Sequence, residues 1–255
     1  MAALADYPLL LLLVSFPVLW LSGWIGGAVF KRVRPQIESQ HEDFAVVLGA
    51  TLTLLGLIIG FTFSMALTRY DQRKNYEEQE ANAIGTEYAR ASLLPPADAA
   101  NVRALLVRYL EERIRFYTAR GGGDLEMIDA ETAKLQNELW SAVQAPGLAQ
   151  PNPVTALALW GMNDVLNSQG YTQAAWLNRI PDGAWELLGA IALCATTLFG
   201  VGARASKVRR GLFAVLSLVL SIAFFLIADI DSPRRGMVRV VPQNLDLLLE
   251  SVKGP

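Results

Sequence analysis

The sequence predicts an all-α membrane protein with four transmembrane helices and a helical extramembrane domain between the second and third. Three observations carry that reading. Tyr7–Phe30 and Phe44–Thr68 contain no Asp, Glu, Lys, Arg or His, and Leu187–Ala203 and Gly211–Ala228 are equally free of charge. About 20 apolar residues, rising about 1.5 Å each, cross the roughly 30 Å hydrocarbon core of a bilayer, so the first pair exceeds the need and the second meets it. Between the pairs lies a polar block, Arg69 to Asp182, whose apolar positions recur at helical spacing. The spans fall at about 7–30, 44–68, 185–203 and 211–229. The matching divisions are 1–68 for the first two spans, 69–183 for the extramembrane domain, 184–230 for the last two spans, and 231–255 for a C-terminal tail.

The first stretch reads as a retained span rather than a cleaved leader. It lacks a basic segment before it and is longer than the usual apolar run of a signal peptide, and Lys31, Arg32 and Arg34 follow it directly. The second span meets no proline between Phe44 and Leu94, so one helix is expected to run from the membrane into the polar block, about 75 Å at about 1.5 Å per residue. Ala81, Ile84, Tyr88, Ala91 and Leu94 mark one of its faces, and Pro95-Pro96 ends it. Asp98 is placed to cap a helix carrying Val102, Leu105, Leu106, Tyr109, Ile114 and Phe116 or Tyr117, which Gly121–Gly123 closes. Asp124 opens a third helix with Leu125, Ile128, Leu135, Leu139 and Val143. Ala145–Pro153, with three prolines, reads as a linker, and a fourth helix is expected over Val154–Asn167 before an irregular stretch to Ile180-Pro181.

Composition excludes several functions. The chain is 53% hydrophobic and 18% charged with a net charge of -2, and no basic stripe with interleaved aromatics marks a nucleic-acid partner. A single histidine, His41, and a single cysteine, Cys194, leave little material for metal clusters, histidine acid–base chemistry or an intrachain disulfide. There is no Ser/His/Asp set, Walker loop or dinucleotide motif, so neither an enzyme nor a cofactor is expected. Mid-membrane ionisable residues and internal repeats, the marks of a secondary transporter, are missing too.

The second span carries the candidate chemistry. Gly49, Thr51, Thr53, Gly56, Gly60, Thr62 and Ser64 are scattered among bulky residues. One reading is close helix packing through Gly56-x-x-x-Gly60. The other is a pore wall: Thr53, Leu57, Phe61 and Met65 lie on one stripe with Ser64 beside them, and a ring of such helices makes a narrow apolar constriction. Arg69 and Arg73 follow, either as interfacial anchors or, in an oligomer, as a positive ring at a pore mouth.

Gly60-Phe61-Thr62-Phe63-Ser64, then Arg69-Tyr70-Asp71-Gln72-Arg73 and Asn82, resemble the Gly-Phe, Arg-Trp-Trp and Asn pattern with which bestrophin channels leave their second membrane helix. Glu80-Ala81-Asn82-Ala83-Ile84-Gly85, Asn178-Arg179-Ile180-Pro181 and Asp229-Ile230-Asp231-Ser232-Pro233-Arg234-Arg235-Gly236 extend the resemblance to the bestrophin-like family of bacterial membrane proteins. It implies a homo-oligomer, a pentamer, in the inner membrane, with second helices lining a path for ions and lipids around it. Carried over, the constriction falls on Phe61, Leu57 and Thr53. Thr53 departs from the apolar pattern, and Tyr70-Asp71 replaces the tryptophan pair, setting a negative charge where anions would be drawn. Anion selectivity and its reverse therefore both stay open.

Sidedness is open as well. The basic loops Lys31–Asp43 and Arg204–Arg210 favour a periplasmic domain, whereas the resemblance implies a cytoplasmic one. Asp229 and Asp231 offer two carboxylates where calcium wants six to eight oxygens, so the expectation is no metal and a structural role, pairing with Arg234 or Arg235 or capping the turn at Pro233. Against the channel stands one competing reading, a membrane-anchored interaction or sensor protein without a conducting pore.

Overall fold

The structure is a computed structural model that describes residues 2–29, 41–202 and 207–254. The described residues form α1 (Ala2–Ala5), α2 (Pro8–Val29), α3 (His41–Arg90), α4 (Pro96–Thr118), α5 (Gly123–Ala149), α6 (Pro153–Leu177), α7 (Asp182–Gly202), α8 (Lys207–Asp231) and α9 (Gln243–Lys253), and none of them forms a strand. Four helical stretches are long and apolar enough to cross a membrane. The loop cations used to weigh orientation, Lys31 to Arg34 and Arg204 to Arg210, lie outside the described residues or on side chains not described.

The chain divides into two compact units, Met1–Arg69 with Arg179–Arg239 and Tyr70–Asn178 with Val240–Pro255. α3 supplies residues to both. It runs unbroken for 50 residues, as the absence of proline predicts, and a short 3-10 turn over Ala91–Leu93 carries it to Pro95.

In the first unit, α2 packs on α7 and α8. The α2–α7 crossing is made by residues too small to keep the backbones apart. A methyl group on Gly26 would strike the Thr197 carbonyl oxygen, one on Gly200 would strike the Gly23 carbonyl, and the Ser22 and Thr196 hydroxyls bond at 2.6 Å. Gly49, Gly56 and Gly60 face open space within the chain, so the chain's own helices do not pack at Gly56-x-x-x-Gly60. Around the crossing, Leu11, Leu19, Trp185, Leu188, Ala192, Phe224 and Ile227 form the apolar core.

The loops on the other side of this unit are tied by acids. Asp229 accepts from the backbone amides of Met237 at 2.7 Å and Val238 at 2.9 Å, closing the turn after α8. Asp231 accepts from Arg179 Nε at 2.9 Å and from the Ile180 amide, and Arg179 Nη1 reaches Asp6 at 2.8 Å. Arg179, about seven-tenths of the way along the chain, is thus a cation partner of Asp231 beyond those the sequence suggested.

The second unit packs α4, α5, α6 and α9 around the Tyr70–Arg90 half of α3. α4 starts at Pro96 with Pro95 as its cap, so Asp98 sits in the first turn rather than at the cap expected of it. Gly121 and Gly122 take φ of 108° and 78°, which lets the chain turn into α5. α5 extends through Pro146 to Ala149, and the linker shrinks to Gln150–Asn152. Asn152 then caps α6 reciprocally with Thr155.

α6 continues ten residues beyond its expected end at Asn167. Tertiary contact explains the extension: Thr172 is bonded to Glu80, and Trp176 packs edge-on against Phe116 and Tyr117 with ring centroids 5.0 and 5.5 Å apart. The expected tail also contains structure. α9 docks on α3, where the Glu77 carboxylate accepts from the amides of Asn244 at 2.8 Å and Leu245 at 3.0 Å, and from Asn244 Nδ2 at 2.6 Å. Lys253 closes the far end on Glu111 at 2.6 Å.

One ion pair is wholly inside this unit. Glu80 and Arg113 are both 0% exposed and bonded through Arg113 Nε, and Glu80 also accepts from Tyr117 and Thr172 at 3.1 Å. Burial and the Glu80 charge together push the Tyr117 hydroxyl far above its ordinary range, so it stays a donor.

Two outcomes test this packing. Gly200→Ala drives a methyl into the Gly23 carbonyl and is expected to cost roughly 1–3 kcal/mol, seen as a lower melting midpoint of the detergent-solubilised protein. Arg113→Met strands the Glu80 carboxylate and is expected to cost roughly 3–5 kcal/mol, whereas Arg113→Met with Glu80→Leu costs less than the two single changes combined, as a double-mutant cycle of melting curves would show.

Candidate functional site

The second membrane helix is the least covered of the four. Only 6% of its most apolar window is buried within the chain, against 28%, 44% and 39% for the other spans. What it does bury is narrow: Leu55, Thr62 and Ala66 step along one face into the core of the first unit. Thr53, Leu57, Phe61 and Ser64 lie on the opposite face and are exposed, Phe61 at 61%. That opposition follows from helix geometry, since positions two residues apart point nearly opposite ways at about 100° per residue.

Met65 is half-buried against the core, at the edge of the stripe, and its sulfur takes a contact from Arg69 Nη2 at 3.7 Å. The Arg69 guanidinium therefore folds back one turn along its own helix. Thr51, Thr62 and Thr68 also turn inward, each hydroxyl bonding the carbonyl four residues earlier, so much of the polar character of the span is spent on its own backbone.

Arg73 does not share the open face. It is 1% exposed and donates through Nε to the Ala175 carbonyl and through Nη2 to the Asn178 carbonyl, each at 3.2 Å. Its place at a pore mouth is corrected on that ground: because α6 reaches Leu177, the terminal carbonyls of α6 come to Arg73 and hold it, as a cation suits a helix C-terminus. Of the expected pair, Arg69 alone keeps a partly exposed charge near the stripe.

The sequence reading missed Glu87, which is 0% exposed with neither carboxyl oxygen hydrogen-bonded. Gly161 of α6 admits it: a methyl there would overlap the Glu87 carboxyl and lie 2.6 Å from Arg90 Nη1. Desolvation pushes the Glu87 acid from the ordinary 4.5 up to about 8, against the pull of Arg90 and with a further push from Asp164. Its only sequence signal was position, a glutamate on the stripe shared by Ile84 and Ala91.

A model of the bestrophin-like domain matches residues 18–245, nearly the whole chain. The chain belongs to the bestrophin-like family. Its fold agrees with solved bestrophin homologues. A variant of the bacterial bestrophin homologue from Klebsiella pneumoniae superposes with a TM-score of 0.66 at 13% identity over 96% of this chain and 99% of the other. The same homologue phased by zinc anomalous scattering gives 0.64 at 13% identity over 94% and 95%. At such identity the likeness establishes the fold alone. No curated protein matches the sequence. As a bestrophin-like protein with four apolar helical stretches, the chain is integral to a membrane.

Glu87 makes stability depend on pH with a definite sign. The folded form keeps the proton up to about pH 8, while an unfolded glutamate releases it near 4.5, so the folded state binds more protons in between. Stability is fully present below about pH 4.5, falls as pH rises through about 8, and is level beyond. Glu87→Gln is expected to remove that fall and to raise the melting midpoint at pH 9 above the unmodified protein, in parallel melting curves from pH 5 to 9.

Proposed function

We propose that copies of this chain assemble into a ring, a pentamer in the inner membrane, in which α3 of each copy lines a path for ions. The carrying observation is that a helix apolar enough to cross a bilayer is left almost uncovered by its own chain, with Thr53, Leu57 and Phe61 on the bare side and Leu55, Thr62 and Ala66 on the side already packed. Lipid could cover an apolar face, but a stripe carrying Thr53, Gly56, Gly60 and Ser64 gains little from lipid and suits close approach to neighbouring copies around an axis. Membership of a family whose name derives from channels supports the same reading.

In this ring Phe61 and Leu57 form the narrow apolar part and Thr53 the wetter end, so passage is governed by whether water fills the gap between apolar side chains. Arg69, the remaining charge near the stripe, biases the path toward anions. Asp71, exposed two residues on, opposes it.

Purified protein in liposomes tests both statements. Phe61→Ala widens the apolar gap and is expected to raise ion flux several-fold over the unmodified protein, and Arg69→Glu to move the reversal potential toward cation preference. Flux no greater than in protein-free liposomes, in Phe61→Ala as well, would leave a membrane-anchored interaction or sensor protein as the better account.

A further inference from the structure

The first unit carries a groove of about 190 Å³ along α2 that the ion path does not use. Leu4, Leu11, Val18, Leu193 and Phe224 line it, and its one hydroxyl, Ser15, is bonded to the Leu12 carbonyl. The lining therefore offers no hydrogen bond to water, and a carbon-lined space of this order takes hydrocarbon. Its lip is open, since Val18 is 45% exposed.

A cation stands beside residues that line the groove. Leu4, Tyr7, Leu11 and Val18 recur at three, four and seven residues, one face of the α1–α2 segment, and Tyr7 is backbone-bonded to both Leu4 and Leu11. Over the Tyr7 ring lies the Arg235 guanidinium, 4.3 Å from the centroid. Arg235 is exposed and pairs with no carboxylate among the described residues. Asp6, the acid beside Tyr7, is held by Arg179 at 2.8 Å and not by Arg235.

A dry groove for a chain, beside an aromatic ring capped by a cation that pairs with no carboxylate among the described residues, matches a molecule with an acyl tail and a negative head. We infer that this groove binds an anionic phospholipid, its acyl chain against Leu11, Val18 and Phe224 and its phosphate on Arg235. A guanidinium is suited to phosphate oxygens, and stacking on Tyr7 holds it at the height where headgroups lie. Charge complementarity selects lipid over a second copy of the chain, because the apolar contact of another copy would leave Arg235 without its anion.

Native mass spectrometry of the protein released from nanodiscs of equal dioleoyl-phosphatidylglycerol and dioleoyl-phosphatidylcholine tests the inference. The unmodified protein is expected to retain phosphatidylglycerol about fivefold over phosphatidylcholine, the factor one basic side chain at a membrane surface supplies. Arg235→Gln is expected to bring that ratio to about one without lowering the number of lipids held. Val18→Trp, on a position already open to the membrane, is expected to lower the number of both. Equal retention by the unmodified protein, or a preference that survives Arg235→Gln, overturns the proposal. So does a Val18→Cys variant, made with Cys194→Ser, that forms a disulfide between copies and holds no lipid there, which would make the groove a subunit contact. None of these readings depends on ion flux.

Discussion

Burying a charge costs several kcal/mol unless something answers it, and the extramembrane unit is organised around four such debts on one face of α3. Arg73, Glu77, Glu80 and Glu87 are each 1% exposed or less, and they step along the helix by four, three and seven residues. Each is answered by a different means. The carbonyls at the end of α6 hold Arg73, the amides at the start of α9 hold Glu77, and Arg113 of α4 holds Glu80. Glu87 is answered by a proton. Every helix that packs on this stretch except α5 therefore brings a specific polar partner to it. Apolar burial would tolerate small slips in register, whereas these partners fix which turn of α4, α6 and α9 meets which turn of α3.

The membrane unit solves its own packing without ionised groups. In lipid there is no water to drive helices together, so contact comes from close backbone approach and from a few hydroxyls. Gly23, Gly26 and Gly200, with the Ser22–Thr196 bond, supply both at one crossing. Gly49, Gly56 and Gly60 of α3 have no such partner inside the chain, and that difference between two glycine-bearing spans is what sets α3 apart as the least covered span.

Much of this was legible in the sequence, for physical reasons. Spans are read from missing charges, and the long α3 from missing prolines, because neither bilayer nor helix ladder tolerates the alternative. The stripe of Thr53, Leu57, Phe61 and Ser64 was visible from spacing, but not which side of α3 the rest of the chain would cover. Counting apolar positions found Ala81, Ile84 and Ala91 on the buried face and passed over Glu77, Glu80 and Glu87 lying among them. Gly56 and Gly60 looked like the packing motif, while the pair that packs within the chain, Gly23 and Gly200, is far apart in sequence. α6 was read short because its last turns are held by Trp176 and Thr172, which are unremarkable until Phe116, Tyr117 and Glu80 come beside them. α9 escaped notice as one short amphipathic helix after a proline, with its cap supplied by a residue 167 positions away.

That distance bears on how the protein is made. Glu77 leaves the ribosome 167 residues before Asn244, whose amide with that of Leu245 satisfies it, and both α7 and α8 are handed to the membrane in between. At about 5–20 residues per second, the nascent unit waits on the order of ten seconds with one of its inward carboxylates unmatched. Through that interval α4, α5 and α6 can already assemble on α3, since all their partners have been synthesised, but the face that receives α9 stays open. Completion of the domain thus waits for the emergence of α9 rather than of its own contiguous segment, and a nascent chain stalled before Asn244 would present that face to whatever attends the ribosome.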